Sequence, residues 1–380
     1  MRTKNWKFKI ASMRIKSLKL TNWRNFLDKK IDFNSKVFIV GKNGQGKTNI
    51  LEAIYFLSTT KSFRTNNNFQ LINWHKDLCR VEGKISIKEN PDIKIELVIN
   101  RNPQRKFQKR AKINNVPKKL IDVLGTLKVV LFSPEMIEII YGSPVLRRRY
   151  LDAVLSITDH RYAKTLISFN QALKRRNKIL SMIAEGKAKK DELPFWDQQI
   201  ISDGSFVILR RLNLINFYNH YLPKAYQDLS NDLRDKLRLK YLNSLLPDQQ
   251  KITQKEIIKN YQKMLVAKRD REIEFGTTLS GPQRDEIIFV LNNRSISSFG
   301  SRGECRSAIL ATKIVEIDYL VKKSAGDKPI MLLDDVFSEL DEERRTKLAK
   351  TISGIQAIIT TTDLSHIEKN LYQKAKIIKL

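Results

Sequence analysis

At 380 residues the chain has room for two domains, or for one domain with a large insertion and a sizeable core. Its 71 Lys and Arg against 40 Asp and Glu leave a formal charge of +31, which favours a polyanionic partner, nucleic acid first and an acidic membrane second; a general richness in Lys, Ile and Asn supplies part of that charge without any partner. Two distant cysteines, Cys79 and Cys305, exclude a disulfide framework and a zinc cluster, and no apolar run approaches the roughly 18 residues of a membrane span.

The basic start has no continuous apolar stretch of the kind a signal peptide needs, so a protein of the reducing cytoplasm is expected. Met13 opens the strand-like run Arg14 to Leu20, and nothing chemical is expected of residues 1–12. Residues 13–40 read as short strands with a turn at Asn34-Ser35, ending in the apolar run Val37-Phe38-Ile39-Val40. Straight after it stands Gly41-Lys42-Asn43-Gly44-Gln45-Gly46-Lys47-Thr48, a phosphate-binding loop, and then a helical stretch from Asn49 to Leu57. The glycines let the backbone turn its N–H groups onto phosphates, and the helix adds the positive end of its dipole. Lys47 can reach the β and γ phosphates, and the Thr48 hydroxyl can ligate Mg²⁺. The expected nucleotide set is Gly41, Lys42, Asn43, Gly44, Gln45, Gly46, Lys47, Thr48 and Asn49, with ATP and Mg²⁺ as cofactors.

Further along, 81–87, 93–99 and 106–113 alternate apolar and polar residues at period two and predict an antiparallel sheet. Leu127 to Phe132 reads as a buried strand, and Ser133-Pro134-Glu135 as the point where the core is left. From 135 to 274 the period becomes helical, with Leu166, Phe169, Leu173 and Leu180 in one stretch and Leu209, Leu212, Ile215 and Phe217 in another. Pro194, Pro223 and Pro247 punctuate this lobe, which lacks the sustained heptads of a coiled coil. Strands and helices then alternate again: a strand at 286–291, a helix near 306–322, a strand at 329–333, a helix near 342–352 and a strand at 356–360.

The apolar run Ile330-Met331-Leu332-Leu333 ends in Asp334-Asp335, the acidic strand end that a phosphate loop requires. Its first acid holds Mg²⁺ and its second orients or deprotonates the attacking water, which gives Asp334 the metal role and Asp335, with Lys47, the catalytic one. Phe299-Gly300-Ser301-Arg302-Gly303-Glu304 opens the helix before it; a Ser and a Gly at a helix N-terminus can donate to a phosphate or simply cap the helix. In this position the segment resembles the signature motif of ABC-type ATPases, and Ser338-Glu339-Leu340-Asp341 resembles their D-loop.

Five segments carry a closer resemblance: Leu20-Thr21-Asn22-Trp23-Arg24-Asn25-Phe26, Lys61-Ser62-Phe63-Arg64-Thr65, Arg147-Arg148-Arg149-Tyr150-Leu151-Asp152, Ser280-Gly281-Pro282-Gln283-Arg284-Asp285 and 333–341. In this order they are similar to motifs of the bacterial RecF recombination-repair family. The resemblance implies an α/β, ABC/SMC-like P-loop ATPase head, a mixed sheet with flanking helices and an antiparallel β subdomain, carrying an inserted helical lobe. The expected division is 13–134 for the first half of the head, 135–275 for the lobe and 276–380 for the second half of the head. It also implies an ATP-dependent homodimer in which Ser301 and Gly303 contact the nucleotide of the opposite subunit. Such a dimer binds double-stranded and gapped DNA, works with RecO and RecR, and helps load RecA at single-strand gaps; DNA-stimulated hydrolysis of ATP to ADP and phosphate, weak and slow, resets it.

The chain departs from that pattern at Glu304, where the family signature usually has Gln, and a carboxylate near a γ-phosphate is awkward unless it points away. Asp335 stands where many ABC ATPases have Glu, and Thr361-Thr362-Asp363 where transporters carry a switch His. Basic groups suited to DNA phosphates are the eight between Arg101 and Lys119, Arg147 to Arg149, and Lys174-Arg175-Arg176, each equally readable as a solvated face. Arg147 to Arg149 can instead pack against the head or nucleotide, and Arg64 fits either nucleotide or DNA. Two other functions share the loop and acidic strand: a transporter's nucleotide-binding subunit, and a DNA scaffold shaped by ATP without significant hydrolysis.

Overall fold

The alternating and fully apolar runs fold as strands in the computed structural model, which describes residues 13–87, 91–101, 107–245, 252–324, 326–365, 367 and 369–380. Residues 1–12 and Pro247, named above, and Arg105 and Lys106 of the basic group between Arg101 and Lys119 lie outside the described residues. The strands in chain order are β1 (Arg14–Trp23), β2 (Phe26–Asp32), β3 (Lys36–Val40), β4 (Leu78–Ser86), β5 (Ile93–Arg101), β6 (Phe107–Ile113), β7 (Val116–Lys118), β8 (Val129–Phe132), β9 (Leu237–Leu242), β10 (Glu286–Leu291), β11 (Arg294–Ser295), β12 (Ile330–Asp334), β13 (Ala357–Thr361) and β14 (Lys376–Lys379). Contacts divide the chain into one unit of Met1–Met136 with Arg306–Leu380 and a second unit of Ile137–Cys305.

The first unit holds two sheets. One is antiparallel, in the order β2-β1-β4-β5-β6-β7; the other is parallel, in the order β14-β3-β13-β12-β8. Strands β3, β12 and β13 carry almost no polar residue before their last positions, as expected where both faces are covered. The helix Lys47–Thr59 packs on β1, β4 and β5 of one sheet and on β8, β12 and β13 of the other, which is why Ile50, Leu51, Ala53, Ile54, Phe56 and Leu57 are all buried. Gly83 on β4 permits this approach: a Cβ there would lie 2.6 Å from Leu57 Cδ1.

The second unit is built from the helices Pro144–Thr158, His160–Ala184, Leu193–Ser230 and Gln254–Glu274 around a small antiparallel sheet, β11-β10-β9. Strand β9 falls inside the stretch read as all-helical; its alternation Leu237, Leu239, Tyr241 is too short to stand out between two helices. Pairing of β10 with β9 brings 276–305 into this unit, whereas the sequence places those residues with the head. Pro223 does not break its helix either. The 38-residue helix Leu193–Ser230 runs through it, and Asn219, whose carbonyl has no N–H partner four residues on, uses its side chain to pair with both backbone groups of Leu239 on β9.

Candidate nucleotide-binding site

Parallel strands deliver the site at their C-terminal ends. In the register of the sheet Asp334 lies beside Thr360, Thr360 beside Ile39 and Thr361 beside Val40, so one middle strand, β13, separates the two motif strands. The loop from Gly41 to Gly46 then turns back to the helix at Lys47. Gly44 and Gly46 have φ of 84° and 99°, a region open to glycine at little cost. At Gly46 a Cβ would also meet the Asn25 side chain at 2.7 Å and the Phe26 ring at 2.8 Å, so both conformation and space require glycine.

Lys47 is nearly buried, and its ammonium donates to the carbonyls of Gly41 at 2.6 Å and Lys42 at 3.0 Å, across the mouth of the loop. Thr48 Oγ1 donates to Asp334 Oδ1 at 2.9 Å, joining residues 286 positions apart. The Thr360 hydroxyl donates to the same oxygen at 2.6 Å and accepts the Asp335 N–H at 3.0 Å. Burial is the main influence on the Asp334 carboxyl and raises its pKa; the bonds from Thr360 and Thr48 pull it back, and nearby Glu135 and Asp335 push it up. Asp335 adopts a left-handed conformation, φ 50°, held by its N–H bonds to the Thr360 carbonyl and hydroxyl. Its Oδ1 is buried without a hydrogen-bond partner, a free acceptor at the end of the strand.

These donors fit a hard cation. Thr48 and Asp334 offer one hydroxyl and one carboxylate, and among the described residues no group of three or more His, Cys, Asp or Glu could hold a metal alone. That is the donor set of Mg²⁺, which keeps waters and binds through one or two carboxylates plus substrate phosphates.

Sequence reasoning missed the side chains that hold this loop and helix in place. Arg24 forms two hydrogen bonds with Glu52, at 2.7 and 2.6 Å; Glu52 is fully buried and also accepts from Ser62 Oγ. Trp23 Nε1 donates to the Asn49 carbonyl at 2.9 Å, Asn25 Nδ2 to the Gln45 carbonyl at 3.1 Å, and Asn49 Nδ2 to Asn25 Oδ1 at 2.8 Å. Arg64 Nη1 donates to Asn49 Oδ1 at 2.9 Å. The segments 20–26 and 61–65 are therefore supports for the helix. A Glu inside an otherwise apolar helix was the available signal for Glu52.

Ser301 and Gly303 lie in the second unit, where the helix Arg302–Lys323 begins. Ser301 Oγ accepts the Glu304 N–H at 3.2 Å and the Glu304 carboxylate accepts the Ser301 N–H at 2.6 Å, a reciprocal capping box. Glu304 is thus engaged with the backbone, while the Ser301 hydroxyl keeps its own proton to donate. In the first unit the D-loop is tied down by arginines: Arg306 to the Glu339 carbonyl and carboxylate, and Arg345 to the Phe337 carbonyl at 2.7 Å.

Two of the basic clusters send half of their residues inward. Arg147 pairs with Glu286 and donates to the carbonyls of Ile139, Ile140 and Gly142; Arg148 donates to the Asp285 carbonyl. Arg176 is fully buried among Asp197, Glu272 and Thr278. These guanidinium groups serve the second unit's own framework, while Arg149, Lys174 and Arg175 of the same two clusters are exposed. Arg211 joins two motif segments, bonding Asp152 through two nitrogens and the Pro282 carbonyl through a third, beside a buried bond from the Tyr241 hydroxyl to Asp285.

The family model described as "RecF/RecN/SMC N terminal domain" matches residues 14–379. The chain is 35% identical over 372 residues to the "DNA replication and repair protein RecF" of Bacillus subtilis (strain 168), covering 97% of this chain and 98% of that protein. It is 36% identical over 375 residues to the protein so named from Ligilactobacillus salivarius (strain UCC118), covering 97% and 96%. Among solved structures, the recombination mediator protein RecF with ATPrS superposes with a TM-score of 0.88 at 31% identity, covering 98% of this chain and 97% of that one. RecF with ATP gives 0.87 at 32% identity, covering 94% of each. The Smc head domain of Pyrococcus furiosus, at 17% identity and a TM-score of 0.53 over 97% of this chain and 93% of that one, shares the fold. With a family model spanning the motifs of both units and relatives matched along almost their full length, the chain belongs to the RecF family of DNA replication and repair proteins.

Proposed function

We propose that the chain is an ATP-controlled DNA clamp of replication and recombinational repair. The observation that carries the reading is the hydrogen bond from Thr48 to Asp334, which joins the phosphate loop to the acidic strand in one site. Lys47, at the loop mouth, binds the β and γ phosphates, while Thr48 and Asp334 hold Mg²⁺. When bound, Mg²⁺ neutralises charge on those phosphates. Asp335, with its unpartnered Oδ1 and a backbone fixed by Thr360, orients and deprotonates the attacking water. An Asp reaches less far than a Glu, which suits slow turnover.

In the same reading ATP closes two copies on double-stranded or gapped DNA, Ser301 and Gly303 of each copy contacting the γ-phosphate on the other, and hydrolysis releases them. RecR and RecO are the partners, and loading of RecA at single-strand gaps is the outcome. What supports this is family membership together with related RecF structures whose descriptions name ATP and the RecFOR pathway. The transporter alternative loses its support, because the near full-length relatives are DNA replication and repair proteins.

Sedimentation of the full chain with and without ATP, Mg²⁺ and gapped duplex tests the reading. Wild type is expected to dimerise with ATP and to bind the duplex. Lys47→Ala should remain a monomer, while Asp335→Asn should stay closed and hydrolyse ATP far more slowly. Hydrolysis by Asp335→Asn at the wild-type rate would remove Asp335 from the catalytic role. Turnover of wild type indifferent to DNA would favour the scaffold alternative.

A further inference from the structure

The small sheet of the second unit has two unlike faces. Residues paired directly across antiparallel strands share a side, so Leu237 with Leu291, Leu239 with Phe289 and Tyr241 with Ile287 form one face, and all of them are buried. The other face carries Arg238, Lys240 and Leu242 on β9, opposite Val290, Ile288 and Glu286 on β10. The three on β9 are exposed, Leu242 by 39%, and the three on β10 are partly so. Diagonal neighbours across such a pair lie about 7–8 Å apart and side chains two positions along one strand about 7 Å apart. Leu242, Ile288 and Val290 therefore make a continuous aliphatic stripe, with Lys240 and Arg238 along its flank.

The cations on this face are free. Among the described residues neither the Arg238 guanidinium nor the Lys240 ammonium is paired, whereas Glu286 is held by Arg147 through bonds of 2.7 and 3.0 Å. At the end of the sheet Asp232 is bonded to Arg234 at 2.7 Å, and Asp235 accepts from the Asn292 amide at 2.9 Å. The turn that carries these acids is tied down, since Gln227 Nε2 donates to the carbonyls of Leu233 and Asp235, both at 2.9 Å. It nevertheless holds Leu233 out in water, 77% exposed.

We infer that this open face docks an acidic segment of another protein, its carboxylates on Arg238 and Lys240 and an aliphatic side chain on the stripe of Leu242, Ile288 and Val290. Free cations select carboxylates or phosphates, and the stripe decides between them. A phosphate backbone is met by cations and other hydrogen-bond donors and has little to cover aliphatic side chains. None of the paired residues on this face is aromatic, so no ring is offered to a base. A protein segment brings both an apolar centre and charged flanks, and in an extended segment alternate side chains repeat at the same spacing of about 7 Å. A second copy of this chain, at a formal +31, has the wrong sign of charge for the role. The inference goes beyond the nucleotide and DNA reading and does not rest on it.

The test is fluorescence titration of the full chain, without nucleotide, against labelled peptides of equal length that alternate Asp with Leu, Asp with Ser or Lys with Leu, and against a labelled duplex. The Asp/Leu peptide is expected to saturate wild type and to bind about tenfold more tightly than the other two. Arg238→Glu/Lys240→Glu should weaken it by about tenfold or more, and Leu242→Asn severalfold. Both variants should keep the wild-type melting midpoint, because these side chains face water. Absence of Asp/Leu binding to wild type, equal affinity for the Asp/Ser peptide, or unchanged affinity in the charge-reversed variant each overturns the proposal. Duplex affinity lost in that variant while peptide affinity holds would assign the face to nucleic acid instead.

Discussion

Thr360 sits at the meeting point of the candidate site: one hydroxyl donates to the Asp334 carboxylate and accepts the Asp335 N–H. Thr360→Val keeps the shape and removes both bonds, while Thr48 still donates to Asp334 and the Thr360 carbonyl still accepts the Asp335 N–H, so the cost is about 1–2 kcal/mol. Steady-state ATP hydrolysis is expected to fall about tenfold, with the melting midpoint lowered; wild-type turnover in this variant would mean that Thr360 does not align the acids. Glu304 invites a conservative exchange for the opposite reason. Gln fills the same capping-box position, so Glu304→Gln should leave stability within about 0.5 kcal/mol of wild type. If Glu304 repels a γ-phosphate across the dimer, turnover in that variant rises; unchanged turnover places the carboxylate away from the phosphate.

At the scale of elements, the helix Lys47–Thr59 depends on Arg24, because Glu52 is fully buried and bonded to that guanidinium. Arg24→Met leaves the carboxylate buried with Ser62 and should cost about 3–5 kcal/mol, read by chemical denaturation. In the second unit, burial of Asp285 is the largest influence on its carboxyl and raises it to about 7, against the opposing effects of Arg211, the Tyr241 hydroxyl and Arg148, while Asp152 pushes it further up. The folded chain therefore holds this proton to higher pH than the unfolded chain, whose carboxyl titrates near the ordinary 3.8. Between these two pH values the native state binds more protons, so this group's contribution to stability falls as pH rises and levels off above about pH 7. Asp285→Asn should remove that slope, so that the variant gains on wild type between pH 4 and 8 in a series of denaturation curves. A constant difference across that range would show that Asp285 is ionised throughout.

For the whole molecule the formal charge of +31 is what remains after all 40 acidic residues are set against the 71 basic ones, so internal ion pairs do not reduce it. DNA binding should therefore depend steeply on salt. With six or more phosphate contacts, affinity is expected to fall on the order of a thousandfold between about 50 and 200 mM salt, read from binding isotherms at several concentrations. A nearly flat dependence would place recognition elsewhere. Among the described residues no helix is long and apolar enough to cross a membrane.

The sequence by itself determined the nucleotide loop, the acidic strand and the order of most strands and helices. Those features are local: glycines in a tight turn, an apolar run ending in acids, a period of two or of 3.6 residues. The antiparallel strands and the helix at 302–323 were legible for the same reason. Strand β9, the continuous helix through Pro223 and the grouping of 276–305 with the second unit were not, because each depends on a partner far along the chain, β10 for β9 and Leu239 for Asn219. Likewise the charge of Arg147, Arg148 and Arg176 could be counted in advance, but not its destination. Only packing decides whether a guanidinium meets solvent or a buried carboxylate, since a buried ion must be paired wherever the fold brings its partner. The same holds for the site itself. The pattern named Thr48, Asp334 and Asp335, and the register of β13 between the motif strands supplied Thr360 to bind the two acids together.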